Sequence, residues 1–92
     1  MPDPHAAIVE QVIACIQQAR LRREVSQEDL ARLAGVSRGC VQHMEKGRTT
    51  PTLLSLLKIS DALELDLPRA IRTALASPGT EILRQKSKSS RK

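Results

Sequence analysis

The sequence predicts an all-α domain of five helices, and three observations carry that prediction. None of the 92 residues is Phe, Tyr or Trp. The core therefore falls to Leu, Ile, Val, Ala and Met, a set that suits close-packed helices better than a sandwich or barrel, where β-branched and aromatic residues lead. Apolar residues recur at helical spacing through most of the chain, and residues that start and stop helices punctuate the stripes. A chain of this length forms one domain and buries only about 60 to 65 % of its unfolded surface, so the core must be simple.

Helix 1 opens with Asp3 as cap and Pro4 at the first helical position, where a missing N–H costs nothing. A stripe of Ile8, Val12, Ile16 and Ala19, flanked by Val9, Ile13 and Arg20, runs to about Arg23, and the last turn is cationic, as the helix dipole prefers. Helix 2 lies in "SQEDLARLAG". Ser26 caps it, Asp29 completes a Ser-x-x-Asp box, Val25 is placed to staple onto Leu30, and Gly35 supplies a left-handed stop. "SRGCVQHMEKG" repeats this grammar within three residues: Ser37 caps, Val36 staples Val41, Val41 and Met44 stand three apart, and Gly47 terminates. Helix 4 runs from about Thr52 to Leu63 and is expected to bury a face of Leu53, Leu56, Leu57, Ser60 and Leu63. Asp66 caps helix 5, whose stripe is Leu67, Ala70, Ile71, Ala74 and Leu75, and "SPG" at 77–79 ends it. The last stretch is polar and basic, so 1–83 reads as the domain and 84–92 as a flexible tail.

The formal net charge of +5 is not spread over the domain. Arg84, Lys86, Lys88, Arg91 and Lys92 account for all of it, and residues 1–83 hold ten basic and ten acidic side chains. Within that neutral body, residues 37–58 carry Arg38, Lys46, Arg48 and Lys58 against Glu45 alone. One segment is basic, and the location of the charge says more about a nucleic-acid partner than its sum does.

Cys15 and Cys40 show no Cys-x-x-Cys or Cys/His spacing, which gives no support to a zinc site or a disulfide and makes a reducing cytoplasm the expected setting. Cys15 reads as core or interface filler. Cys40, near the start of helix 3, is expected to pack against helix 2, with a redox-sensitive thiol as the other reading. No stretch reads as a membrane span, and "MPDPHAAIVEQVIACI" has no basic leader and carries Glu10 and Gln11 in its apolar run, so it is read as a helix and not as a signal peptide. No cofactor is expected. Clustered carboxylates, a nucleophile with a base, and a Gly-rich phosphate loop are all missing from the pattern, which leaves an enzyme poorly supported.

Two short, Ser-capped helices joined by a Gly turn match the helix-turn-helix motif, whose second helix enters the DNA major groove. "SQEDLARLAGVSRGCVQHMEKGRTTPTLLSLLKISDALEL", with its Ser-Gln cap, Leu-Ala pair, Gly-Val-Ser turn, Glu-x-Gly exit and Leu-rich fourth helix, resembles the phage-repressor-like (Cro/repressor-type, xenobiotic-response-element) helix-turn-helix family from residue 16 to about 72. The extended start of helix 1 and the basic tail lie outside the resemblance. It implies a lambda-repressor-like fold and a sequence-specific DNA-binding regulator, with double-stranded DNA as partner and the nucleoid as its place.

The resemblance also implies roles. Gln27 occupies the place where relatives anchor a phosphate through a side-chain amide, and Ser37 adds a phosphate contact to its capping role. Arg38, at the first position of the recognition helix, is placed to take a guanine O6/N7 pair bidentately. Gly39 stands where relatives carry a long or hydroxylated base reader. Either it is a tolerated glycine near a helix end, or its missing Cβ lets the helix approach the DNA closely. Gln42 and His43 continue the reading face, and Lys46, Arg48 and Thr49 lie where the family clamps the backbone. Arg20 and Glu45 occupy positions that relatives use for a structural ion pair.

Recognition helices of this type gain specificity by pairing two half-sites, so a homodimer on a palindromic operator is expected, acting as a repressor. Its interface is expected on Leu67, Ala70, Ile71, Ala74, Leu75, Ile82 and Leu83, with the longer helix 1 as the second candidate. The alternative is an antitoxin that autoregulates its operon and binds a protein toxin through the tail or helix 5.

Overall fold

The computed structural model describes residues 3–76, which form five helices and no strand. They are α1 (Pro4–Arg22), α2 (Gln27–Ala34), α3 (Arg38–Glu45), α4 (Leu53–Ala62) and α5 (Leu67–Leu75). Each begins on a short polar side chain that accepts a backbone N–H of the first turn: Asp3 from His5, Ser26 from Asp29, Ser37 from Cys40, Thr52 from Ser55 and Asp66 from Arg69. At α1 the His5 amide on the Asp3 carboxylate holds that carboxyl below its ordinary pKa.

Helix ends show what the sequence hid. Gly35 and Gly47 take left-handed backbone, with φ of 71° and 74°, and stop α2 and α3. The other two left-handed stops are glutamates: Glu24 at φ 56° after α1 and Glu64 at φ 53° after α4. Both close the same loop as a glycine would, with Val25 N donating to Arg20 O at 3.1 Å and Leu65 N to Ser60 O at 2.9 Å.

The core is aliphatic throughout. Ile16, Leu30, Val41, Met44, Ile59 and Leu63 are its largest fully buried side chains, drawn from α1, α2, α3, α4 and the end of α4. Val25 and Val36, the expected staples, are partly buried against it. α4 departs from the expected pattern. Leu56, Ile59, Ser60 and Leu63 turn inward, but Leu53 and Leu57, expected on that face, are 65 % and 52 % exposed, as is Leu54. At about 100° per residue, Leu53 lies about 100° and Leu57 about 140° from the inward line of the helix, which runs through Ile59 and Leu63. The hydroxyl of Ser60 is buried with no hydrogen-bond partner.

The stripe of α5 expected to meet a second copy is largely committed inside the monomer. Leu67, Ala70 and Ala74 are buried and Ile71 packs partly against the core, because α5 closes over α1 with that face. A core without aromatics needs the apolar face of every helix. Leu75 is 44 % exposed, and Ile82 and Leu83 lie outside the described residues, as does the tail from Arg84.

Candidate nucleic-acid interface

α2 and α3 are joined by residues 35–37. The left-handed Gly35 lets Val36 N turn back onto Ala31 O at 3.0 Å, and Ser37 then starts α3 by accepting from Cys40 N at 3.0 Å. Val41 and Met44 are 0 % and 1 % exposed, pinning α3 to the core. At about 100° per residue, they lie about 200° and 140° around the axis from Gly39, so position 39 points directly away from the core. Gly39, Gln42, His43 and Lys46 therefore form the outward line of α3, with Arg38 on its flank. Arg38, His43 and Lys46 are exposed, and Gly39 and Gln42 are half-buried.

The one acid of this segment is withdrawn from that surface. Arg20, buried on α1, donates through Nε to Glu45 Oε2 at 2.8 Å and through a terminal nitrogen to Glu45 Oε1 at 3.0 Å, while its other terminal nitrogen donates to Val25 O at 2.8 Å. The Glu45 side chain is 2 % exposed. Gln27 Nε2 donates to Glu45 Oε1 at 2.9 Å, so three helices meet at one carboxylate. A bidentate guanidinium and an amide satisfy the buried charge. What remains at the surface of residues 37–58 is cationic: Arg38, Lys46, Arg48 and Lys58 are all exposed, as is Thr49.

The structure thus brings Gln27, Ser37, Arg38, Gly39, Gln42, His43 and Lys46 onto α3 or its immediate neighbour, with Arg48 and Thr49 in the loop that follows. Gly47 turns the chain there, and Arg48 N donates to His43 O at 2.9 Å. Sequence reasoning missed the Gln27–Glu45 contact, which joins residues far apart in the chain and leaves no local signal. Cys40, expected against α2, has its Sγ 3.9 Å from the Ser55 hydroxyl of α4, and both cysteines are free thiols. A Cβ built on Gly39 would meet nothing nearer than Ser37 Oγ at 3.9 Å.

The helix-turn-helix family pattern matches residues 16–69, from the middle of α1 into the first turn of α5. The chain belongs to the Cro/C1-type helix-turn-helix family. No curated protein matched it. As a Cro/C1-type protein it is a DNA-binding transcriptional regulator with a lambda-repressor-like fold. In Cro/C1-type terms α2 and α3 are the motif, with α3 in the place of the second, recognition helix. Among the described residues no helix is long and apolar enough to cross a membrane.

Proposed function

We propose that the chain is a transcriptional repressor that binds a palindromic operator as a homodimer. The observation that carries this reading is the outward face of α3: every exposed charge on it is positive, because its single carboxylate is buried against Arg20 and Gln27. A carboxylate left free there would repel phosphate; a buried, paired one does not. In this reading Arg38 takes a guanine O6/N7 pair, Gln42 and His43 read neighbouring base edges, and Gly39 lies between them. Gln27, Ser37, Lys46, Arg48 and Thr49 hold the phosphates and set the register. Gln27 suits that role in its observed geometry. An amide nitrogen carries two hydrogens, and Glu45 takes one, leaving the other for a phosphate oxygen.

Two-fold symmetry follows from the small number of base readers on one α3, which is too few to select a site in a genome. In this reading the surface for it is the exposed end of α5, at Leu75 with the half-buried Ile71. Selection of bound sites from random DNA tests the reading. The expected product is an inverted repeat with half-site centres about 34 Å apart. A single unrepeated half-site removes the dimer, and recovery of no preferred sequence removes the repressor. Copurification with a second small protein would favour the antitoxin role instead.

A further inference from the structure

We propose that Gly39 is a specificity-determining position, kept bare by the DNA and not by the fold, at which the α3 backbone seats against the edge of a base pair. The inference rests on the operator-binding reading above. Glycine is held in a fold for a few physical reasons, and position 39 meets none of them. It is the second residue of α3 and has ordinary helical backbone, unlike Gly35 and Gly47, whose left-handed φ of 71° and 74° demands glycine. It is not pressed against a neighbour, since an added Cβ would be 3.9 Å from Ser37 Oγ, an ordinary contact, with nothing closer. In helical backbone glycine is a poorer choice than alanine, though at the first turn the difference is smaller than in a helix interior. The protein therefore carries a locally unfavourable residue that its own packing does not require.

The position is also the one where a missing side chain matters most to a partner. Gly39 points opposite the buried pair Val41 and Met44, at the centre of the outward face. Arg38 stands about 100° to one side of it, and Gln42 and His43 follow one turn on. An α-helix with side chains is about 10 to 12 Å across and the major groove is about 12 Å wide, so the leading edge of the helix sets how deep it sits. A side chain at 39 would stand between the backbone and the base pairs and hold the Arg38 guanidinium back from a guanine edge. With hydrogen alone at that point, the backbone reaches the groove floor and its neighbours reach the bases.

The test compares the full-length wild type with Gly39→Ala, Gly39→Leu and a control at an exposed site of α1, Gln18→Ala, by thermal melting and by titration with wild-type-selected and random duplexes. Gly39→Ala is expected to melt about 3 to 6 °C higher, because helix propensity improves and no contact is broken. It is expected to bind the selected site roughly tenfold more weakly, with Gly39→Leu weaker still and Gln18→Ala unchanged. Loss graded with side-chain size is the mark of a steric limit. Operator affinity of Gly39→Ala within about twofold of wild type overturns the proposal, as does a lower melting temperature, which would mean that the fold requires the glycine after all. A wild-type chain that prefers no sequence over random DNA removes the operator reading itself, and this inference with it.

Discussion

The side-chain amide of Gln27 donates to the carboxylate of Glu45 at 2.9 Å, tying the first residue of α2 to the last residue of α3. Arg20 holds the same carboxylate from α1. Glu45→Ala leaves the Arg20 guanidinium buried without its partner and is expected to cost about 3 to 5 kcal/mol in denaturant unfolding. Gln27→Ala removes one charge-assisted hydrogen bond and is expected to cost about 1.5 kcal/mol. A Glu45→Ala loss below about 1 kcal/mol would mean that the pair is solvated.

The proposed operator binding assigns base reading to Arg38 and phosphate clamping to Lys46, both exposed cations. Arg38→Ala is expected to weaken binding to the selected operator by about 1 to 3 kcal/mol and to relax preference at one base pair. Lys46→Ala is expected to weaken all sequences alike and to lower the slope of log affinity against log salt by about one. Equal losses on selected and random DNA for both variants would show that Arg38 reads no base.

Glu64 sits in left-handed backbone where glycine carries no penalty, and its pair with Arg23, at 3.4 Å, is exposed. Glu64→Gly is expected to stabilise the fold by about 0.5 to 1 kcal/mol, the relieved backbone outweighing the lost surface pair. The reverse substitution at an equivalent stop, Gly35→Ala, is expected to cost about 1 to 2 kcal/mol. Chemical denaturation of the two variants side by side checks the signs.

On α4, neighbouring apolar residues should differ sharply. Ile59→Ala empties a fully buried site and is expected to cost about 2 to 5 kcal/mol, while Leu57→Ala, half of whose surface already meets water, is expected to cost less than about 1. Ser60→Ala is expected to leave stability equal or higher, because the buried hydroxyl it removes has no partner.

Four of the five caps, Asp3, Ser26, Ser37 and Asp66, were legible because capping is local: a Ser or Asp just ahead of an apolar stripe is enough to place a helix start, whereas Thr52, the expected first residue of its helix, proves to be the cap. The Gly35 and Gly47 stops were legible for the same reason. Glu24 and Glu64 were not, since glutamate is a poor left-handed residue, and closure of α1 and α4 outweighs that preference where the next residues, Val25 and Leu65, gain burial against the core. Leucine content misled at α4 because spacing alone shows that a helix is apolar on two sides and cannot say which side faces inward. On α5 the stripe itself was correctly read, but one apolar face serves either a core or a partner, and most of this one closes on α1. The residues of the α3 face followed from the motif; the amide of Gln27 beside Glu45 required the folded chain.

Eight residues are too few for a helix to persist alone in water. α3 is helical because Val41 and Met44 are locked in the interior, and Glu45 fastens its far end to two other helices. The helix proposed to read the bases is thus preorganised, and in that reading DNA need not order it on contact. The same dependence makes it vulnerable: a substitution at Met44 loosens the letters along with the page, so a domain still mostly folded would misread before it unfolds.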